Sequence, residues 1–596
     1  MMKTKKNRRN RRRGRERKRR KAKVKVEIIN KPKKFFKKKP NLEDYEKMYK
    51  KFDWDGVRKE VPWLGHRLNM AHAAVDVHVD SWRKNKVALY WEGEKDSKKF
   101  TFMQLSELSN KFANVLKSLD VGKGDRVFIF LPRIPPLYVS FLGTLKTGAI
   151  AGTMFAAFGP SGIKDRLENS GAKVVVTDDT LKKRIYKVKR ELPELEHIVV
   201  VGKTRSGEKN YEKEMASASD KFKIAKTKPS DDAFMLYTSG TTGKPKGVVH
   251  RHYALIQEHL TAKWVLDLHE DDVYWCTADP GWVTGIAYGI IGSWSNGASS
   301  VVHEGRFDPA KWYSILDKYN VTVWYTAPTA IRMLMAAGDD LPKKYKLGNL
   351  RHLCSVGEPL NPEAVKWSMK VFGIPFHDNW WQTETGGILI ANYPCMSIKA
   401  GSMGKPLPGI KAAIVDDNGK KLRRGQEGNL AIKPGWPSMM KKIWRRPKKY
   451  KSYFHGGWYI TGDRAFMDKD GYFWFVGRAD DVIKTAGERV GPFEVESALV
   501  EHPAVVEAGV IGKPDPIRGE IIKAFIVLAK DYKPSKQLEE RLKLFVKKHL
   551  AGHAYPREIE FVKTLPKTRS GKIMRRVLKA RELGLPIGDI STLVEY

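Results

Sequence analysis

The chain is poor in cysteine: 596 residues contain three, Cys276, Cys354 and Cys395, and no two of them form a CxxC pair. This excludes a disulfide framework and a cysteine-built zinc site, and it suits a reducing compartment, so the expected location is the cytoplasm. No apolar run approaches the roughly 20 residues that a membrane-spanning helix requires. The best stretches, Gly148 to Phe158 and Gly285 to Trp294, are short and interrupted, and no membrane insertion is expected. No unit of about 20 to 50 residues recurs, which excludes solenoids and propellers. The first forty residues hold no serine and only two acidic residues, Glu16 and Glu27, against 22 Lys and Arg. A secretory signal needs an apolar stretch and a transit peptide is Ser-rich, so the block fits neither.

What the chain has in excess is positive charge, with 110 Lys and Arg against 67 Asp and Glu and a net charge of +43. Nearly half of that excess lies in the first forty residues, which have almost nothing to bury. Residues 1–41 therefore read as a basic, disordered extension. Such a block is a solvated tail or a tether for a polyanion. Nucleic acid enters as a partner only through it, and no aromatic residue interleaves its Arg run to stack on bases. With 41% hydrophobic and 30% charged residues overall, the rest is ordinary globular sequence. At about 150 residues per domain it is long enough for two to four folding units.

From Leu42 onward, short β-branched runs alternate with amphipathic stretches. Arg126–Leu131, Lys173–Thr177 and His197–Val201 read as strands, and Phe102–Leu119 and Ser161–Ser170 carry apolar residues at helical spacing. The alternation predicts an α/β fold, with a large N-terminal domain over residues 42–479 built on parallel or mixed sheets. Beyond it the elements shrink. Strands at Ala504–Ile511 and Lys523–Leu528 and a basic amphipathic helix at Gln537–Leu550 predict a smaller α+β domain over residues 480–596.

Four segments carry chemistry. The first, Tyr237-Thr-Ser-Gly-Thr-Thr-Gly-Lys-Pro-Lys-Gly247, follows the strand-like Ala233–Leu236. Its glycines let backbone N–H groups approach an anion, its hydroxyls donate to oxygens and its two lysines neutralise charge, which suits a polyphosphate. It is not a Walker A loop, because Pro245 follows Lys244. The second, Asp378-Asn-Trp-Trp-Gln-Thr-Glu-Thr-Gly-Gly387, gathers a stacking face, an amide, hydroxyls and a carboxylate. An aromatic face can hold a base, and a carboxylate can bind Mg²⁺ beside substrate phosphates. In the third, Asp463 ends Tyr459-Ile-Thr-Gly-Asp463, and Arg478 and Arg489 follow in Gly477-Arg-Ala-Asp-Asp481 and Thr485-Ala-Gly-Glu-Arg-Val-Gly491. A carboxylate on a turn suits the two hydroxyls of a ribose, and arginine suits phosphate. The fourth, Pro566-Lys-Thr-Arg-Ser-Gly-Lys572, places a lysine after a small loop. His250 and His252 have no Cys or carboxylate ligands nearby, and no metal site is expected there.

In this order, and with Ala278-Asp-Pro-Gly-Trp-Val-Thr-Gly285 and Gly357-Glu-Pro359 between them, the segments resemble the adenylate-forming superfamily of acyl-CoA synthetases over about residues 42 to 596. Within it they look most like the AMP-forming acetyl-CoA synthetases. The resemblance implies a ligase whose substrates are acetate, ATP and coenzyme A, with Mg²⁺ accompanying ATP, and whose intermediate is acetyl-AMP. It implies that Ser239, Gly240, Thr241, Thr242, Gly243 and Lys244 hold the departing pyrophosphate, with Thr238 beside them in the ATP/AMP-binding set. Gly357, Glu358, Pro359 and Trp380 would take the adenine, with Asp378 and Gln382 in the same nucleotide site. Asp463 and Arg478 would take the ribose. Thr383, Glu384, Arg489 and Lys572 form the implied catalytic group: Thr383 and Arg489 on the α-phosphate, Glu384 on Mg²⁺, and Lys572 at the acetate carboxylate and α-phosphate.

The same resemblance makes the C-terminal domain mobile about a hinge at Asp480, with Gly487 lining the coenzyme A channel. Arg184 would contact coenzyme A phosphates, although it reads equally well as part of a solvated basic turn. Trp381 would wall off an acyl pocket shared with Val283, Thr284 and Val356, leaving room for one or two carbons, so propionate and other short acids stay open as alternatives. The loop around Lys572 also matches the pattern acted on by protein acetyltransferases and deacetylases.

Overall fold

The computed structural model describes residues 26–32, 35–240, 243–485, 488–550, 554–568, 572–587 and 593, without the side chains at 239–240, 243–244 and 489. Most of the basic block, residues 1–25, lies outside the described residues. Two compact units divide the chain: a larger one of Asn30–Phe475 with Lys567–Lys572, and a smaller one of Val476–Pro566 with Ile573–Pro586.

In the larger unit, the strand Arg126–Phe130 alternates Val127 and Ile129 into one apolar cluster with Phe128 and Phe130 into another, and all four are wholly buried. A strand with no polar face needs cover on both sides, which parallel neighbours and their crossover helices supply. It pairs in parallel with Ile150–Thr153 and Val174–Asp178, and His197–Val201 extends the ladder. On the other flank Ile150–Thr153 pairs in parallel with Asp232–Gly240, which turns back as the antiparallel Gly243–Arg251. Lys209–Asn210 and Lys442–Ile443 complete eight strands. The helix Phe102–Ser118 begins at a capping box made by Thr101 and Gln104 and buries Leu105, Phe112 and Leu116.

A second sheet of nine strands has a parallel centre, in which Phe376–Trp380, His352–Ser355, Val323–Thr326, Val273–Cys276, Ser299–His303 and Val87–Glu92 lie side by side. The expected site residues 356–359 and 380–384 lie at and just past the C-terminal ends of two of these strands, the usual place for sites in parallel sheets. A five-stranded antiparallel sheet runs from Ala412–Val415 to Phe473–Arg478 and includes Trp458–Met467.

The smaller unit is α+β, as expected. Its sheet is led by the long hairpin Val505–Asp515 and Gly519–Leu528, with Glu558–Phe561 parallel to the second arm. The helices Pro492–Val500 and Lys536–His549 bury Val495, Leu499, Leu538, Leu542 and Val546 in the unit's own core.

Residues 30–41 correct the expected extension, because they pack on the larger unit rather than trailing from it. Lys31 Nζ donates to His377 Nε2 (2.7 Å) and to the Tyr393 carbonyl (2.8 Å), and Asn41 binds Asp267 Oδ1 through its backbone N–H (2.7 Å) and the Lys263 carbonyl through its amide (2.9 Å). Lys37 reaches the Leu350 carbonyl (2.8 Å) and Lys38 pairs with Asp271. Composition hid this because a lysine that inserts its amine counts the same as one that does not. Burial pushes the Lys31 amine down to about 7 from 10.5. The depressed value means that the docked arm binds fewer protons than the released one. Docking should therefore strengthen as pH rises from 7 toward 10.5, by up to about 1.4 kcal/mol per pH unit. Subtilisin cleavage within residues 30–41 is expected to be slower at pH 9 than at pH 7, relative to a reference peptide, and Lys31→Met should abolish the difference. Faster cleavage at pH 9 would reverse the sign of the argument.

Candidate active site

The polyphosphate segment forms the turn of a hairpin. Asp232–Gly240 and Gly243–Arg251 pair with Gly240 opposite Gly243 and Thr238 opposite Lys246, and the register shifts between Gly243 and Lys246. Thr241 and Thr242 lie outside the described residues, as do the side chains at Ser239 and Lys244 and everything but the backbone at Gly240 and Gly243. Thr238 is described, and its hydroxyl is buried without a hydrogen-bond partner.

The returning strand ties this hairpin to the Thr383–Thr385 turn through two side chains. Lys246 Nζ pairs with Glu384 Oε1 at 2.8 Å and donates to the Tyr453 hydroxyl, which donates to the same Glu384 oxygen at 3.1 Å. Burial alone would raise the Glu384 carboxyl, but the Lys246 ammonium outweighs it and holds the carboxyl below its usual range. His250 sits behind them, its Nε2 donating to the Thr383 carbonyl (2.8 Å). Burial pushes this imidazole down to about 4, so it is neutral and its proton is on Nε2. The turn needs Gly386 at φ +70°, where a Cβ would lie 2.1 Å from the Ser438 carbonyl oxygen.

A second chain of bonds begins at Trp380. Its indole N–H donates to Asp463 Oδ2 (2.9 Å), Gln382 Nε2 donates to the same oxygen (3.0 Å), and Tyr459 donates to Gln382 Oε1 (2.9 Å). Tyr453 and Tyr459 stack at 5.7 Å, so the Glu384 and Asp463 groups are braced against each other. Asp463 is 3% exposed and its carboxylate is fixed by two donors.

Other expected nucleotide residues are placed by a buried frame. Gly357 takes φ +101°. Glu358 accepts from Arg332 and Thr329, both at 2.9 Å. Asp378 accepts from the Ser355 hydroxyl (2.6 Å) and Leu360 N–H (3.3 Å), so it fixes the strand and loop on either side of Gly357–Pro359. Burial pushes its carboxyl up to about 7.

The expected acyl residues border the large apolar core of this unit: Val283 and Val356 are buried in it and Trp381 packs against it, with Thr284 next along the helix Val283–Ile286. Arg184 is bound to the backbone instead of standing free, donating to the Ala156 (2.8 Å) and Phe158 (3.1 Å) carbonyls.

In the smaller unit, Arg478 ends the strand Phe473–Arg478 and Asp480 is exposed on the turn that follows. Gly487 lies outside the described residues, as does the Arg489 side chain. Lys572, which clusters with the larger unit, is exposed, and its backbone hydrogen-bonds back to Thr568 in both directions. Three residues on, Arg575 donates to Glu496 Oε1 at 2.8 Å, anchoring the start of the helix Arg575–Leu583.

Sequence reasoning missed Tyr453 and His250, and it gave Lys246 to an anion where the structure gives it to Glu384. Only the strand periodicity signals the last point: Lys246 and His250 lie four apart on one strand, hence on one face.

The chain matches the AMP-binding enzyme family over residues 75–444 and the AMP-binding enzyme C-terminal domain over residues 494–572. It is 58% identical over 559 residues to the acetyl-coenzyme A synthetase of Bacillus subtilis, a match spanning 93% of this chain and 97% of that one. With the acetyl-coenzyme A synthetase of Methanothrix thermoacetophila the identity is 46% over 563 residues, spanning 89% and 85%. Among solved structures, a Brucella canis acyl-CoA synthetase superposes with a TM-score of 0.72 at 36% identity, covering 91% of this chain and 99% of its own. An anthranilate CoA ligase crystallised with anthranoyl-AMP gives 0.81 at 32% identity, covering 88% and 98%. With buried carboxylates, cations and an orphan hydroxyl set in the segments that these relatives share, the chain belongs to the AMP-binding enzyme family, in the group that the acetyl-coenzyme A synthetases represent.

Proposed function

We propose that the protein is an acetate–CoA ligase of the AMP-forming kind, working in the cytoplasm. An acetate oxygen attacks the α-phosphorus of ATP, the bond to the β-phosphate oxygen breaks, and pyrophosphate leaves with the electron pair. The sulfur of coenzyme A then attacks the acetyl carbonyl, the carbon–oxygen bond to AMP breaks, and the thiol proton is released. The observation that carries this reading is Trp381 packed on the same apolar core that buries Val283 and Val356, in a chain 58% identical to an acetyl-coenzyme A synthetase.

Attack by one anion on another needs cations where charge builds. The single ionised carboxylate of Glu384, oriented by Lys246 and Tyr453, fits Mg²⁺, which takes one or two carboxylates and completes its shell with substrate phosphates and water. Bound there with ATP, the ion would neutralise the polyphosphate. Thr238 supplies a hydroxyl to the same group, and Asp463, fixed by Trp380 and Gln382, accepts from the ribose hydroxyls. Asp480 serves as hinge, and Gly487, Arg489 and Lys572 act as the motifs imply. Lys572 is exposed enough for an acetyltransferase to reach.

Hydroxamate formation and pyrophosphate release across straight-chain acids test the assignment. Acetate is expected to lead, with propionate about 10–200-fold less efficient, because one methylene in an apolar pocket discriminates by no more than that. Trp381→Gly is expected to move the preference to longer acids. An unchanged chain-length profile in that variant would remove Trp381 from the pocket wall.

A further inference from the structure

Trp381 is held by a hydrogen bond and a ring contact from two buried tyrosines. Its indole N–H donates to the Tyr325 hydroxyl (3.3 Å), which donates in turn to Asn379 Oδ1 (2.9 Å). The Tyr288 ring meets both partners edge to face, 5.1 Å from Trp381 at 86° and 5.9 Å from Tyr325 at 85°. Tyr288 is itself fixed. Its hydroxyl accepts from the Ile388 N–H (2.7 Å), and because Thr261 gives its own proton to the Gln257 carbonyl (2.6 Å), Tyr288 donates to Thr261 (2.8 Å). Both tyrosines are 0% exposed, and burial pushes both hydroxyls above the usual phenol range, so each remains a donor.

The members come from different elements. Tyr325 lies on the central strand Val323–Thr326, and Tyr288 lies on the π turn Ala287–Ile291, directly after the helix that carries Val283 and Thr284. Trp381 and Asn379 bracket the end of Phe376–Trp380. An indole packed only by apolar neighbours can pivot about its side-chain bonds, whereas a directed N–H bond and a perpendicular ring leave it one orientation.

We propose that Tyr325 and Tyr288 set the chain-length limit of the acyl site by fixing the Trp381 indole, as positioning residues that do not touch substrate. The proposal rests on Trp381 being the wall. One hydrogen bond of this kind changes an equilibrium about 2–10-fold, the scale on which a single methylene is discriminated. Loosening the wall therefore blurs the limit without removing it.

Tyr325→Phe keeps the ring against Tyr288 and removes only the hydroxyl. It is expected to raise the butyrate-to-acetate ratio of kcat/KM about 5–10-fold, mainly through a higher acetate KM, while leaving the KM for ATP unchanged. Tyr288→Leu, which removes the perpendicular ring, should shift the ratio the same way. In a Trp381→Gly background, Tyr325→Phe should add nothing further, since there is no wall left to position. If Trp381→Gly broadens the profile and Tyr325→Phe and Tyr288→Leu do not, the proposal is overturned. If Trp381→Gly itself leaves the profile unchanged, the reading of Trp381 falls and takes the proposal with it. A ratio shift accompanied by an equal rise in the KM for ATP would mark general damage and also overturn it.

Discussion

Lys572→Ala is expected to abolish adenylation while sparing thioester formation. Acetate-dependent pyrophosphate release should fall about 10²–10³-fold, the usual cost of deleting one preorganised charge-stabilising contact. Acetyl-CoA formation from supplied acetyl-AMP and coenzyme A should remain near the wild-type rate. The split follows from where charge develops: a carboxylate approaching an anionic phosphorus needs a cation, and a thiol attacking an already activated acyl group does not need the same one. Lys572 is exposed, its N–H donates to the Thr568 hydroxyl while its carbonyl accepts from the Thr568 N–H, and the helix that follows is anchored through Arg575 and Glu496. Retained pyrophosphate release in the variant would sink the role given to Lys572.

Glu384→Gln should produce two losses that come apart on further substitution. The first is ATP-dependent turnover, which should fall at least 100-fold through the loss of the carboxylate proposed to hold Mg²⁺. The second is stability. Gln keeps the hydrogen bond from Tyr453 but leaves the buried Lys246 ammonium without a counter-charge, which costs about 3 kcal/mol. Adding Lys246→Met removes the stranded charge and should recover most of the stability and none of the activity. Chemical denaturation of the two single variants and the double variant measures this coupling directly. Additive losses would show that the pair is not coupled.

Much of the fold was legible because burial leaves a period-two or helical trace. Arg126–Phe130 and His197–Val201 are visible as continuous β-branched and aromatic runs, and Phe102–Ser118 as a helical stripe. The hairpin of the smaller unit was read short at both arms, which continue to Asp515 and begin at Gly519. Its tip carries Lys513, Pro514, Asp515, Arg518 and Glu520, none of them buried, and so lacks the apolar alternation. In the site, the segments that hold Trp380, Glu384 and Asp463 were visible as unusual residue types in close company. What each side chain does there was not visible. The Trp380 indole N–H is committed to Asp463, and Lys246 neutralises Glu384, because strands distant in sequence bring them together. Tyr288, Tyr325 and Tyr453 gave no signal, since an isolated tyrosine in an apolar run is indistinguishable from ordinary core. The packing of residues 30–41 was hidden for the opposite reason, because their composition matched the tail before them.

The π turn at Ala287–Ile291 has a consequence for how acyl choice can change in this family. A π turn is one residue more than an α-helix would use over the same rise, so its neighbours hold their positions by length as well as by identity. Losing one residue there would return the helix to α-helical register and carry Tyr288 about 100° around the axis, away from Trp381. Pocket size is thereby open to revision by a single-codon deletion that leaves Trp381, Val283, Thr284 and Val356 untouched. Two relatives with identical pocket residues can then differ in the acids they accept.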